Sequence, residues 1–333
     1  MNRPKGQHFV AQSYLRGFAN GAGNDARVYV YERGRDDPYR QHPKKVARQT
    51  NYYSFRQPDG TLNDSAEDLL GWFESDSLPV LRSLANGSFQ NTWAERERLG
   101  LFIALQELRV PWTPKNLENM YGVLFDHSAK FRAWIPGLLE QDLRELEARG
   151  EAVNGVTADN LREFLQRGEH TLKVDPVVSL KSMIQLAPMI GAIYQEMEWR
   201  VFRSTEIAFV TSDNPVAKLN PAARGSMGSL GLFHRTFEVR FPLSSTSYLV
   251  MTHDHQREDA WQQFMEAGKK IEASNLRKTV PRVVVLGANK RVADSLNALT
   301  IAYAVRFVYS RERDARFPAM LRNQTLAPRL HVG

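Results

Sequence analysis

The sequence predicts an α+β fold: a helical middle region packed against a mainly antiparallel sheet formed by N-terminal strands and strands of the C-terminal half. Three observations predict it. Apolar residues alternate, or run together for four or five positions, in the first 60 residues and again after residue 198. Between those stretches they recur at three- and four-residue spacing, the mark of helices with one buried face. The two patterns come in blocks, which argues against a regular βαβ build. At 333 residues, 42% hydrophobic and 10% aromatic, the chain can bury a substantial core. We expect one large domain over residues 1–310 and a basic, peripheral tail over 311–333. Its sub-regions are an extended, hairpin-rich start (1–62), a helical middle (63–198), and a sheet with a last helix (199–310).

Ala26–Gly34 sets Val28 and Val30 against Tyr29 and Tyr31 and reads as a strand closed by Gly34. The aromatic stretch from Asn51 to Phe55 follows, and Gln57-Pro58-Asp59-Gly60 is a turn signal. Asn63 or Asp64 can cap a helix carrying Leu69, Leu70, Trp72 and Phe73. A second helix runs from about Thr92 to Val110, ended by Pro111. A more charged helical region spans Asn116–Arg149 with a break at Pro136-Gly137, and Thr157–Asn160 caps another helix. Asp175-Pro176 opens a helix to about Glu196, with Pro188 and Gly191 placed to bend it. Strands are expected at Trp199–Arg203, Ile207–Thr211, Glu238–Leu243 and Thr246–Thr252, with a long glycine-bearing loop over Leu219–Arg235. Asp254–Leu276 reads as partly helical, and Val292–Tyr309 as the last helix.

Composition excludes several classes. With no cysteine there is no disulfide framework, iron–sulfur cluster, thiolate zinc site or cysteine nucleophile. The longest uncharged apolar stretch, Ser182–Gln195, is too short to span a bilayer, so no membrane partner is expected. MNRPKGQHFV has no apolar run to serve as a signal peptide, which points to a cytoplasmic protein. No GxGxxG follows a strand, and GxxxxGK[ST], GxSxG and HExxH are absent. The net charge of +7 is uneven. Residues 1–57 hold eleven basic and four acidic residues, and residues 301–333 six and two, while the middle is mildly acidic. If the two ends meet, they form a basic face suited to nucleic acid; separately they are solubilising ends.

Three segments carry candidate chemistry. His8, Gln12 and Tyr14 lie within seven residues, with His8 a candidate general acid or base and otherwise a cap or surface residue. Ser212, Asp213 and Asn214 stand at a strand end locked by Pro215. There Asp213 could hold a divalent metal or orient an imidazole, or the three could satisfy their own backbone as an Asx-turn. Gln106 and Arg109 share a face at the end of an apolar helix. Arg109 there needs an anionic ligand or a carboxylate partner, Glu74 or Asp213. His253-Asp254-His255 is a weak metal signal, read as surface loop, and Trp199 and Trp261 read as core.

At these same residues the chain resembles a bacterial family known as domain of unknown function 4238. The opening His8-Phe9-Val10-Ala11-Gln12-Ser13-Tyr14-Leu15-Arg16-Gly17-Phe18 carries it, with Ala11 where the family usually has proline. So do Tyr29–Arg33, Asn51–Tyr53, Gln106–Pro111, Phe209–Val216, Phe241–Ser244, and Asn297 before a helix ending near Ser310. The stretch 112–180 carries no matching motif. The resemblance supplies no activity, but it groups His8, Gln12, Tyr14, Gln106, Arg109, Ser212, Asp213, Asn214 and Asn297 into one pocket. A base, an anion clamp and a carboxylate beside a basic face are the parts needed to handle a phosphodiester. The leading expectation is therefore a nucleic-acid-directed hydrolase of toxin or defence type. In it His8 acts as acid or base, Arg109 clamps phosphate, and Asp213 orients His8 or holds the metal. The alternative is a non-catalytic binding protein for a small anionic ligand or a protein partner, with these residues as a structural polar network. Oligomeric state is left open.

Overall fold

The computed structural model describes residues 6–50, 52–56, 62–111, 128–151, 155–167, 176–221, 232, 236–253 and 280–323. Asn51, the Gln57–Gly60 turn, residues 116–127, most of the 219–235 loop and the 254–276 segment lie outside the described residues. The chain divides into two compact units, Met1–Thr113 with Leu180–His331, and Pro114–Ser179, where a single domain over 1–310 was the expectation.

The first unit opens with β1 (Gly6–His8) and the short α1 (Gln12–Leu15). The predicted strand is β2 (Val28–Glu32), followed by β3 (Tyr39–Gln41), β4 (Arg48–Thr50) and the paired β5 (Phe55–Arg56) and β6 (Leu62–Asn63). Helix α2 (Ser65–Asn86) starts where Asn63 Oδ1 accepts the Ser65 N–H. Helix α3 (Trp93–Leu108) starts with a capping box, Thr92 receiving the Glu95 amide and the Glu95 side chain receiving the Thr92 amide.

In the second unit residues 128–134 are helical, the chain breaks at the predicted Pro136-Gly137, and α4 (Leu138–Ala148) follows. Gly137 adopts φ +81°, a conformation that favours glycine. Thr157 Oγ1 accepts from the Asn160 amide at the start of α5 (Ala158–Arg167). Ala129, Ala133, Leu139 and Leu165 form a small core.

Helix α6 (Pro176–Glu196) returns the chain to the first unit. There Gly191, expected to bend it, is where it meets α3: a Cβ on Gly100 would lie 2.7 Å from the Gly191 carbonyl oxygen. Strands β7 (Glu198–Arg203), β8 (Thr211–Ser212), β9 (Ala217–Leu219), β10 (Glu238–Ser244), β11 (Ser247–Thr252) and β12 (Val283–Gly287) lead to α7 (Lys290–Tyr303), β13 (Phe307–Ser310) and α8 (Phe317–Asn323).

The fold is α+β, as expected, but the strands form more than one sheet. The five-stranded sheet, β12-β7-β11-β10-β9, comes wholly from the C-terminal half and is antiparallel except for β12 beside β7. One face, including Trp199, Val239 and Met251, joins the main core with Leu81, Phe102 and Tyr194 of the helices. The other packs Tyr248 and Val250 against Phe209 and Leu296. Of the N-terminal strands, β2 and β3 belong to a separate four-stranded sheet, β3-β2-β13-β8, while among the described residues β1 pairs only with β4 and β5 only with β6.

Three expectations are corrected. Ile207–Val210 is not a strand: the Phe209 amide donates to Ser245 O and the Val210 amide to Asn297 Oδ1, so no ladder is available to it. The helix expected over Val292–Tyr309 ends at Tyr303, and Phe307–Ser310 is a strand between β2 and β8. The tail is not wholly peripheral. Phe317 and Leu321 are buried with Tyr31, Val210 and Ile301, and the Phe317 ring lies 5.3 Å from that of Tyr31. That cover explains why Tyr31, on the face of β2 that alternation assigns to solvent, is itself buried. Among the described residues no helix is long and apolar enough to cross a membrane.

Candidate functional site

Arg109 sits just past the end of α3 with its side chain buried. Its Nε donates to Phe9 O at 3.0 Å, Nη2 to His8 O at 3.1 Å, and Nη1 to Glu74 Oε1 at 2.6 Å. The guanidinium fork thus ties the N-terminal segment to α2 and α3. Glu74 is the carboxylate that the sequence offered as one of two partners; Asp213 is not. Gln106, one turn earlier and fully buried, accepts the Ala11 amide on Oε1 at 3.2 Å. Tyr53 donates its hydroxyl to His8 O and Arg109 O, at 3.3 and 3.4 Å.

The His8 ring is half-buried. Burial, and then the Arg109 charge beside it, hold its pKa below the usual histidine value, with Glu74 acting the other way. The Lys44 backbone beside the ring acts in the same sense as Glu74 and more weakly. The ring Nε2 is buried without a hydrogen-bond partner among the atoms of the described residues.

The other motif residues form a second network. Asp213 Oδ1 accepts the Val305 amide at 2.9 Å, and Oδ2 accepts those of Arg306 and Phe307 at 2.8 and 3.0 Å. This stops α7 and launches β13. Burial pushes the Asp213 carboxyl up to about 6, against the pull of the amide bonds. Ser212 Oγ donates to Asn214 O and accepts the Asn214 amide, the local turn that was the plainer reading of this segment. Asn214 Nδ2 donates to Tyr303 O. Asn297 receives the Val210 amide and donates to Ala208 O. Tyr14 links the two halves: its hydroxyl donates to Pro242 O at 2.8 Å and lies 2.7 Å from Thr211 Oγ1. Gln12 opens α1, half-buried, its carbonyl accepting the Arg16 amide.

The expected roles therefore meet other geometry. The hydrogen bonds of Asp213 go to backbone amides and not to His8. Among the described residues no group of three or more His, Asp or Glu side chains is placed to hold a metal ion. Arg109 is already bound to a carboxylate and two carbonyls. The basic ends do meet, through β2, β13 and α8, and acids there pair with part of the charge. Arg306 meets Glu32, Arg322 meets Asp36 and Arg313 meets Asp37.

Sequence reasoning passed over Glu107, beside Gln106 but on another face. It is buried between the Tyr194 hydroxyl and the Lys218 ammonium. It also passed over Arg96, buried over the Trp199 ring at 4.1 Å and donating to carbonyls of Gln195, Met197, Pro281 and Arg282. An arginine in α3 pattern looks solvated; only the fold shows the carbonyls that surround it. Trp199 itself is core, as expected.

A cleft of about 150 Å³ opens between α2, α3 and α6, lined by apolar side chains including Leu70, Phe73, Leu101, Leu105, Met183 and Ala187. Of its lining residues Leu69 and Ile184 are exposed, and the exposed Trp72 packs its ring 4.9 Å from that of Phe73.

A family model described as protein of unknown function (DUF4238) matches residues 6–314. No curated protein and no solved structure matches the chain.

Proposed function

The chain belongs to the DUF4238 family, a description that assigns no activity, and we propose that it is a binding protein that takes an apolar segment of a protein partner in the cleft between α2, α3 and α6. The observation that carries this reading is the cleft with its rim. About 150 Å³ suits one large apolar side chain, and an apolar cavity of that size holds a benzene-sized group. Around it Leu69, Ile184 and Trp72, whose ring meets that of Phe73, extend the apolar surface. Soluble proteins seldom expose such residues side by side without a use. A pocket for one anchor, surrounded by residues that exclude water, is the arrangement of a protein-binding hot spot, where Trp and Met are enriched. The buried polar motifs then serve as scaffold, consistent with the engagement of Arg109 and Asp213 by backbone groups.

The test is selection of displayed twelve-residue peptides on the whole chain, with counter-selection on an Ile184→Asp, Trp72→Ser variant. Enriched peptides should share a large apolar residue and bind the variant at least about tenfold more weakly, as loss of one anchor at about 1.4 kcal/mol implies. No enrichment over the variant overturns the reading.

A hydrolase is the second reading, favoured by one observation: the half-buried His8 has its pKa lowered by burial and by the Arg109 charge, the direction that suits a general base. In that reading His8 works without Asp213. Cleavage of labelled RNA or DNA by the wild type and not by His8→Ala, with Mg²⁺, Mn²⁺ or EDTA, would support it. No cleavage by a folded wild type would remove it.

A further inference from the structure

Strand β12 (Val283–Gly287) is the last strand of the five-stranded sheet and pairs with β7 alone among the described residues. The Trp199 amide donates to Arg282 O and the Ala288 amide to Arg203 O, so the even-numbered residues of this stretch turn their backbone groups to β7. Val283, Val285 and Gly287 turn theirs outward. They form a row of donors and acceptors with no strand beside it among the described residues.

The edge is apolar on both faces of the sheet. Val285 shares its face with the buried Val201, and Leu286 shares the other with Phe202. Val285 and Leu286 are nonetheless 55% and 36% exposed. The strand holds neither a charge nor a proline, the usual guards of an open edge. Other edges of this protein carry such guards. Strand β3 bears the exposed Arg40, and β9 bears Lys218, whose carbonyl receives the Tyr303 hydroxyl.

We propose that β12 pairs with the β12 of a second copy of this chain, antiparallel and about a twofold axis at Val285, joining two five-stranded sheets into one. The strand fits itself. With Val285 opposite the partner's Val285, Val283 stands opposite the partner's Gly287, and Gly287 opposite the partner's Val283. In that register each pair exchanges both backbone bonds, so every outward N–H and C=O is met. Across the seam Val285 meets its own copy and Val284 meets the partner's Leu286, an apolar match on either face. Arg282 falls opposite the partner's Ala288, so no like charges are opposed; its own partner is Glu198. A strand from another protein would have to be as apolar on both faces to fit as well. This edge is separate from the apolar cleft, and the proposal does not rest on the cleft.

The test is sedimentation velocity of the full chain over a micromolar concentration series, with hydrogen exchange at its two ends. The mean mass should rise from that of one chain toward that of two. The Val283, Val285 and Gly287 amides should exchange about tenfold more slowly once about nine chains in ten are paired, while those of Val284 and Leu286, already bound to β7, change little. Val285→Lys sets two ammonium groups against each other at the seam. Val285→Pro removes an outward N–H and leaves the β7 bonds in place. Each should weaken association at least about tenfold. The Ile184→Asp, Trp72→Ser variant should associate like the wild type. A single-chain mass throughout would overturn the proposal. So would association that leaves the three amides unprotected, persists in both folded Val285 variants, or is lost in the cleft variant.

Discussion

Asp213 should make the fold less stable as pH rises, the reverse of the usual carboxylate. Its pKa is raised in the folded chain to about 6 from a reference of 3.8, with burial the larger cause. The folded state then holds the Asp213 proton more tightly than the unfolded state does. The stabilisation is complete below about pH 3.8 and is lost as pH climbs to about 6. Two units correspond to about 3 kcal/mol, of which some 2–3 kcal/mol falls between pH 4 and pH 7. Many other groups titrate in that window, so the quantity to measure is a difference. Urea unfolding of wild type and Asp213→Asn at half-unit steps from pH 4 to 8 provides it. The wild type's stability relative to the variant should fall by about 2–3 kcal/mol from pH 4 to 7, then level. A flat difference would refute the reasoning. A rising one would show that the Val305, Arg306 and Phe307 amides outweigh burial and keep the carboxyl ionised.

Other substitutions test other parts of the framework. Arg109→Lys should cost about 3 kcal/mol by thermal or chemical denaturation, because an ammonium cannot reach His8 O, Phe9 O and Glu74 at once. Gly100→Ala should destabilise by about 1–3 kcal/mol, since its Cβ would lie 2.7 Å from the Gly191 oxygen and force α3 from α6. Phe317→Ala should lower stability by about 3 kcal/mol or more, as for a buried phenylalanine, and a result near zero would restore the tail to a peripheral role.

Much of the fold is legible in the sequence because it rests on local signals. The capping box at Thr92, the break at Pro136-Gly137 and the alternation in Val28–Val30 all act within one turn or one strand. What is not legible depends on partners far along the chain. Val292–Tyr309 keeps a helical apolar spacing throughout, yet α7 stops at Tyr303 because Asp213, some ninety residues earlier, takes the next amides. Ile207–Val210 has the composition of a strand, but Asn297 occupies its backbone. Tyr31 reads as surface until Phe317 covers it. The candidate residues were legible as a set, while their roles were not: sequence shows that an arginine, an aspartate and amides are present, not which atoms they face.

Those roles share one feature that narrows the chemistry. Arg109 serves the carbonyls of His8 and Phe9, Gln106 the amide of Ala11, Asp213 the amides of residues 305–307, and Asn297 those around Ala208 and Val210. Each polar side chain completes the backbone of a segment distant in sequence, where no helix or sheet partner exists. An N–H or lone pair so engaged cannot also bind substrate without releasing that segment, and the release would cost about as much as the bonds themselves. A polar motif of this kind is therefore weak evidence for catalysis. The atoms that can meet a ligand are the ones the framework leaves over. Here they include the apolar side chains that line the cleft between α2, α3 and α6.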